Sequence, residues 1–257
     1  MAPEFERRFG GLRRLYGAAG AQRLFDAHVA VVGIGGVGSW AVEALARSGV
    51  RRLTLIDLDH VAESNINRQI HASEATLGQA KAEAMRERIA LYHPDAVVDV
   101  VDDFVTADNW PALMAGLPPP DALIDACDQV RAKTAMAAWA LRESRPLVTV
   151  GAAGGKRLPQ AVEVGDLAGT THDPLLAKLR YQLRRSHGAS REGRMGVTCV
   201  FSRENVAPPD AACLVDGAAA PGAALNCHGY GSAVSVTATF GLCAAGWVLN
   251  HLAEGRG

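Results

Sequence analysis

Short apolar runs alternate with longer amphipathic segments through the first 151 residues. Apolar runs bounded by turn signals indicate strands, and apolar positions three or four residues apart indicate helices. The pattern predicts strands at about 28–33, 51–57, 96–101, 121–126 and 146–151. It predicts helices at about 12–26, 38–48, 79–93, 109–117 and 130–143. Strands that alternate with helices predict the α/β class, with a mostly parallel sheet covered by helices on both faces.

The regular alternation stops after about residue 166. Residues 173–187 predict a basic helix, whereas residues 188–231 are rich in Gly, Ala and Pro and carry few strand signals. The uncharged run at 233–249 is marginal in length for a membrane span, so it favours a buried core helix over a membrane anchor. Since no linker is evident, we interpret the chain as one domain over 1–257, with an ATP-binding core at 8–155, an α-rich or irregular substrate-binding insertion at about 166–231 and a C-terminal apolar helix at about 232–253.

Composition excludes several classes of protein. Lys and Arg number 26 against 27 Asp and Glu, so a nucleic-acid partner would need a local basic patch. The five cysteines are scattered and never form C-x-x-C pairs, which argues against a disulfide framework and against a zinc site. The N-terminus lacks the apolar stretch of a secretory signal, so we expect a cytoplasmic protein.

The stretch "GIGGVG" joins the first predicted strand to the next helix and contains Gly33, Gly35, Gly36 and Gly38. Glycines at such a turn let the backbone approach phosphates at a helix N-terminus, which is typical of nucleotide binding in Rossmann-like sheets. Asp57 follows about 20 residues later, where an acid can bind ribose hydroxyls. On these residues alone, a nicotinamide-dependent dehydrogenase remains a good interpretation.

The segments after the second and fourth strands change that interpretation. "DLDHVAESNINRQIH" (57–71), the start of the next helix and "DACD" (125–128) bring acids, amides and cations to strand ends that meet at one edge of the sheet. Hydride transfer needs no such cations, whereas phosphate chemistry uses them to stabilise charge and uses an Asp to hold Mg²⁺. The candidate residues are Asp57, Asp59, Asn65, Arg68, Gln69, Lys81, Asp125 and Asp128.

The combination of G-x-G-G-x-G, D-x-D, N-x-N-R-Q, a helix-start Lys and D-x-x-D resembles the adenylating domain of the ubiquitin-activating-enzyme superfamily. The resemblance implies that Asp57 binds the ribose of ATP and that Asn65, Arg68 and Lys81 bind its phosphates. It also implies that Asp128 holds Mg²⁺ and acts with Arg68 and Lys81 in catalysis. Taken singly, these residues have plainer interpretations as turn caps, surface ion pairs or charges on a helix, and Asp125 stays open between ATP binding and capping.

Further segments resemble one branch, the tRNA threonylcarbamoyladenosine dehydratases. They include "RFGG" (8–11), "NRQIHA" (67–72), "DPLLAKLR" (173–180) and "CVFS" (199–202). The resemblance implies ATP-dependent closure of the threonylcarbamoyl group of a tRNA adenosine into a ring, in a homodimer. It implies that Arg14 or Arg8 reaches ATP in the partner subunit. It also allows a monovalent cation and a sulfur-acceptor or cysteine desulfurase partner.

A basic segment at 173–194 lies outside the nucleotide-binding motifs. It contains six cations and only two acids, which in a nearly neutral chain is a concentrated patch. We interpret it as a tRNA phosphate contact, although a solvated helix face would have the same composition. The six residues are Lys178, Arg180, Arg184, Arg185, Arg191 and Arg194.

Three alternatives to a dehydratase remain open on the sequence. The first is an activator of a ubiquitin-like or sulfur-carrier protein, which would use the same ATP site. If it formed a thioester, it would need a catalytic cysteine such as Cys199 or Cys213. A lone cysteine, however, is more often a small core residue. The second is a nicotinamide enzyme, and the third is a non-catalytic nucleic-acid-binding module that uses the basic segment.

Overall fold

The computed structural model describes residues 3–208 and 230–255. In these residues seven strands form one sheet in the order β3-β2-β1-β4-β5-β7-β6. The strands are β1 (His28–Val32), β2 (Arg52–Ile56), β3 (Val97–Val101), β4 (Ala122–Asp125), β5 (Leu147–Val150), β6 (Val162–Asp166) and β7 (Thr198–Ser202). Only β6 runs antiparallel to its neighbour. The predicted α/β class and mostly parallel sheet are therefore confirmed.

Helices cover the sheet on both faces, and two separate apolar clusters lie between sheet and helices. The helices are α1 (Pro3–Phe9), α2 (Gly11–Asp26), α3 (Gly38–Arg47), α4 (Lys81–Ala90), α5 (Trp110–Ala115), α6 (Val130–Arg142), α7 (Pro174–Ser186) and α8 (Val234–Glu254). The helices α2, α3, α8 and α4 cover one face, and α5, α6 and α7 pack with the other cluster. Each predicted helix is present, with ends that differ by a few residues.

The sequence pattern missed β6, β7 and α1. The prediction that 188–231 carries few strand signals is wrong at 198–202, because β7 lies between β5 and β6 in the sheet. Residues 209–229, which include Cys213 and Cys227, lie outside the described residues. The division of the chain into one domain with a core, an insertion and a C-terminal helix stays a prediction.

The apolar run at 233–249 forms α8, which packs against α3 and α2. Phe240, Ala244 and Val248 of α8 are fully buried. Gly241 lies so close to the start of α3 that an added Cβ would meet the Val37 carbonyl oxygen. By length and composition α8 could cross a membrane, yet 56% of its most apolar window is buried within the fold. This burial favours a core helix that supports the turn between β1 and α3.

Candidate active site

A pocket of about 760 Å³ opens at the carboxyl ends of the parallel strands. Loops that follow β1 to β5 line it, because parallel strands place those loops at one edge of the sheet. Most of the predicted site residues line this pocket, namely Gly33, Gly35, Gly36, Asp57, Asp59, Asn65, Arg68, Gln69, Lys81 and Asp128. Gly38, at the start of α3, and Asp125, at the end of β4, lie behind its wall.

The glycine turn leaves no room for side chains at two positions. An added Cβ on Gly38 would overlap the Gly33 carbonyl oxygen, at 1.7 Å. Gly33 itself has φ +86°, a conformation that residues with a side chain rarely adopt. The turn ends at the N-terminus of α3, where unpaired backbone N–H groups and the helix dipole favour an anion. The geometry therefore suits the phosphates of a nucleotide.

Asp57 ties the glycine turn to the end of β2. One carboxylate oxygen accepts from the Ile34 N–H at 2.5 Å, and the other accepts from the Asp59 N–H at 2.8 Å. Burial raises the pKa of Asp57, although nearby Lys81 and the two N–H groups oppose the shift. The carboxylate is thus fixed at the pocket wall, where it can meet a ribose.

Lys81 is the first residue of α4 and reaches into the pocket. Its ammonium group is 2.7 Å from the Asp59 carboxylate. The Lys81 side chain is 9% exposed, whereas the Asp59 side chain is 54% exposed. Asp59 therefore holds a mostly buried cation in place from the solvent side, where incoming phosphates can share that cation.

Arg68 is buried and its guanidinium is anchored locally. One nitrogen donates to the Ser64 carbonyl and to the Asn67 side-chain oxygen, at 2.9 Å in the second case. Over residues 3–208 and 230–255 no carboxylate lies within ion-pair distance of Arg68, so the surface ion-pair interpretation finds no support. The remaining guanidinium N–H groups are therefore free to serve phosphate oxygens.

Asn65 and Gln69 complete the loop after β2. The Asn65 side-chain oxygen accepts from the Ala62 N–H at 3.1 Å and so caps the short 3₁₀ turn Glu63–Asn65. Its amide N–H₂ remains available to a ligand, so capping and binding are compatible in one side chain. Gln69 lines the pocket, and its buried side-chain oxygen has no partner in the described part of the chain.

The two acids of "DACD" occupy different environments. Asp125 is fully buried and accepts from the Thr149 hydroxyl at 2.5 Å, with the Lys133 ammonium at 3.1 Å. Asp128 is exposed at the pocket wall. Asp125 therefore supports the loop from behind, and Asp128 faces the ligand space.

Lys133 is a site residue that the sequence pattern did not reveal. Burial opposes its charge, but the Asp125 carboxylate outweighs that effect, so the pKa of Lys133 is raised and the ion pair persists. The ammonium also donates to the Val150 carbonyl at 2.8 Å, which links β4, β5 and α6 beneath the pocket. The available signal was position, since Lys133 shares a helix face with apolar Met136, Ala137 and Ala140.

The donor set is compatible with Mg²⁺ but not with a cage made by protein alone. Within the described ranges no three His, Cys, Asp or Glu side chains group as metal ligands. Mg²⁺ bound to a nucleotide typically takes one or two carboxylates and completes its shell with phosphates and water. The exposed carboxylate of Asp128 fits that chemistry.

Arg8 and Arg14 lie on α1 and α2, are exposed, and do not line the pocket of their own chain.

On α7, Leu175, Leu179 and Leu183 are buried, which leaves Lys178 exposed on the outer face.

The remaining cations of the basic segment differ in their exposure and in their hydrogen bonds to the rest of the fold. Arg180 donates to the carbonyls of Leu167 and Thr170, so it braces the fold. Arg184 is half-buried and donates to the Ser190 carbonyl, whereas Arg185, Arg191 and Arg194 are exposed. Arg194 lies 3.8 Å from an Asp166 carboxylate oxygen.

Comparison with known proteins finds relatives that match almost the whole chain. The ThiF family model matches residues 9–255. The tRNA threonylcarbamoyladenosine dehydratase of Escherichia coli (strain K12) is 47% identical over 98% of this chain and 96% of its own length. The crystal structure of the E. coli tRNA N6-threonylcarbamoyladenosine dehydratase in complex with ATP matches with a TM-score of 0.87 and 45% identity, over 100% of this chain and 99% of that chain. The molybdopterin-synthase adenylyltransferase of Salmonella typhimurium is 37% identical, but over only 51% of each chain. The chain therefore belongs to the ThiF family, in the branch formed by the tRNA threonylcarbamoyladenosine dehydratases.

Proposed function

We propose that this chain catalyses the ATP-dependent dehydration of N6-threonylcarbamoyladenosine in tRNA, next to the anticodon. The observation that carries the proposal is the arrangement of Arg68, Lys81 and Asp128 around a glycine turn in one pocket. Similarity over the whole chain selects this substrate over a carrier protein, since the adenylyltransferase match spans half of the chain.

The pocket supports a reaction in two steps. The threonyl carboxylate attacks the α-phosphorus of ATP, and pyrophosphate leaves as Arg68 and Lys81 stabilise its developing charge. A nitrogen of the substrate's own side chain then attacks the acyl-adenylate carbonyl, AMP leaves, and the nitrogen loses its proton. The ring product has one water fewer than the substrate. Since nucleophile and electrophile share one molecule, the protein need only hold the geometry.

No cysteine thioester is needed in this scheme. Burial raises the pKa of the Cys127 thiol, and the Asp125 carboxylate adds to that shift. Burial likewise raises the pKa of Cys199, which lies on β7 between β5 and β6. Both groups are therefore held as thiols, which are poor nucleophiles.

Mg²⁺ and the assembly are further parts of the proposal. We place Mg²⁺ on Asp128, where it would neutralise phosphate charge when ATP is bound. Arg14 or Arg8 would reach ATP only in a partner subunit, because both lie outside the pocket of their own chain. This placement supports a homodimer. A monovalent cation, a sulfur-transfer partner and a cytoplasmic location stay predictions.

One experiment separates the candidate functions. The pure protein is incubated with ATP and with tRNA that carries N6-threonylcarbamoyladenosine. The tRNA is then digested, and the masses of its nucleosides are measured by mass spectrometry. The proposal expects a nucleoside lighter by one water that appears only with ATP. A carrier-protein activator would exchange pyrophosphate without changing the tRNA, and a binding module would change nothing. A nicotinamide enzyme would not depend on ATP.

Two carboxylates of the pocket should give different kinetic defects. Asp128→Asn is expected to raise the Mg²⁺ concentration for half-maximal rate and to lower kcat, because a metal ligand acts on the phosphates. Asp57→Ala is expected mainly to raise KM for ATP, because a ribose contact is equal in ground and transition states. Rates measured over a grid of ATP and Mg²⁺ concentrations test this. Identical profiles for the two variants would contradict the assigned roles.

The outer face of α7 should contribute to tRNA affinity. Changing Lys178, Arg184 and Arg185 together to Gln is expected to weaken tRNA binding and to flatten its salt dependence. The slope of log affinity against log salt should fall by up to ~0.9 for each phosphate that the variant no longer neutralises. ATP affinity should stay at the parent value. The measurement is tRNA affinity at several salt concentrations.

The matched control for this triple variant removes three exposed cations from elsewhere on the surface, Arg51, Arg86 and Arg157. This control should keep the parent slope. If both triple variants behave alike, the face of α7 is only a solvated helix surface and the tRNA is held elsewhere.

A further inference from the structure

A second cavity, of about 380 Å³, runs along α6 between α5 and α7. One face of α6 lines it with Arg131, Ala135, Ala138 and Arg142, which are three or four residues apart. Because a helix rises 1.5 Å per residue, this stripe is about 16 Å long. We call this cavity the α6 groove.

The walls of the α6 groove combine aromatic and cationic side chains. Trp139 is half-buried in the wall, and the ring of Trp110 supports it from below at 5.6 Å in an edge-on arrangement. The exposed side chains of Arg131, Arg142 and His187 also line the groove. Neither Asp nor Glu is present among the lining residues that the structure describes, and the one acid paired with a groove cation is the exposed Glu143, 2.9 Å from Arg142 and outside the lining. An aromatic platform with nearby cations suits an unpaired base and its phosphate.

The α6 groove is continuous with the catalytic pocket. Ala107 and Arg131 line both cavities. A single small molecule would fill the pocket alone. If a polymer places one of its residues in the pocket, the rest of the polymer must lie along a neighbouring surface. The groove leads from the pocket towards α7, whose exposed face carries Tyr181 and Arg185.

We propose that the α6 groove binds an unpaired tRNA nucleotide adjacent to the adenosine whose side chain reacts. This inference rests on the proposed function, because it needs a tRNA substrate in the pocket. The base stacks on Trp139, and Arg142 and His187 meet the phosphate. The groove then sets the position of the neighbouring modified adenosine, so that the carboxylate of its threonylcarbamoyl group reaches the α-phosphorus of ATP.

The test compares three groove variants with a matched surface variant. Trp139→Ala removes the platform, and Ala138→Leu fills the groove without removing any packed side chain. Arg142→Gln removes a groove cation, and Arg145→Gln removes an exposed cation just beyond the end of α6. The substrate is an anticodon stem–loop RNA that carries N6-threonylcarbamoyladenosine.

We expect Trp139→Ala to raise KM for the RNA by about fivefold or more, which corresponds to the loss of one stacked base. Ala138→Leu and Arg142→Gln should raise the same KM, whereas Arg145→Gln should not. KM for ATP should stay at the parent value in all four variants. A 4-thiouridine placed beside the modified adenosine should cross-link to a peptide from α6.

Two results would overturn the inference. One is an RNA KM in Ala138→Leu and Arg142→Gln equal to that of Arg145→Gln, with cross-links elsewhere. The second is a change of oligomeric state in these variants by light scattering, because the groove would then be covered by a second copy of the chain. In both cases the parent protein still dehydrates the RNA. Failure of the parent itself would instead contradict the proposed function.

Discussion

Lys81→Ala and Arg68→Ala are each expected to lower kcat for tRNA dehydration by about 10²–10³-fold with the fold intact. Both side chains are buried at the pocket wall and held in place, Lys81 by Asp59 and Arg68 by the Ser64 carbonyl. Donors fixed in advance stabilise developing charge without reorganisation. Losing one such donor typically raises the barrier by roughly 2.7–4 kcal/mol.

The measurement is single-turnover formation of the dehydrated nucleoside at saturating ATP and tRNA. The matched control is Arg86→Ala, which removes an exposed cation from the same helix as Lys81. Circular dichroism and thermal melting should be unchanged in all three variants. Normal turnover in Lys81→Ala or Arg68→Ala would remove that residue from the adenylation step.

The residues that touch the ligand space were predictable because the chemistry lies in contiguous motifs. A glycine turn after a strand, and acids or cations after the next strands, must converge at one edge of a parallel sheet. The structure brings Gly33, Asp57, Lys81 and Asp128 to one pocket accordingly. Their roles towards ATP and Mg²⁺ stay predictions that the variants above test.

The second half of the sheet was less predictable for a physical reason. β7, "TCVFS", is short and carries polar residues at both ends, so its composition resembles a loop. It becomes a strand because β5 and β6 pair with it on either side. β6 lies at the sheet edge, is half exposed and ends on Asp166, so its pattern is also weak. Tertiary pairing rather than local preference determines both strands.

The buried contacts of Lys133 beneath the pocket could not be predicted from the sequence, because they join residues that are distant along the chain. Lys133 and Asp125 are eight positions apart, and their partner Thr149 comes from the next strand. A helix pattern marks Lys133 as an anomaly on an apolar face but cannot identify what it meets. Only the packing of α6 across β4 and β5 shows that the charge is paired.

Lys133→Met is expected to destabilise the protein by about 3–5 kcal/mol, because it leaves the Asp125 carboxylate buried without its cation. Both side chains are 0% exposed, so water cannot replace the missing partner. For a chain of this size the melting temperature should fall by about 10 °C. The double variant Lys133→Met with Asp125→Asn should recover much of the loss, since Asn removes the charge and still accepts from the Cys127 N–H. Lys178→Met, on the exposed face of α7, is the control and should melt within about a degree or two of the parent. The measurement is the melting temperature of the four proteins. If the double variant is as unstable as Lys133→Met, altered packing rather than the unpaired charge causes the loss of stability.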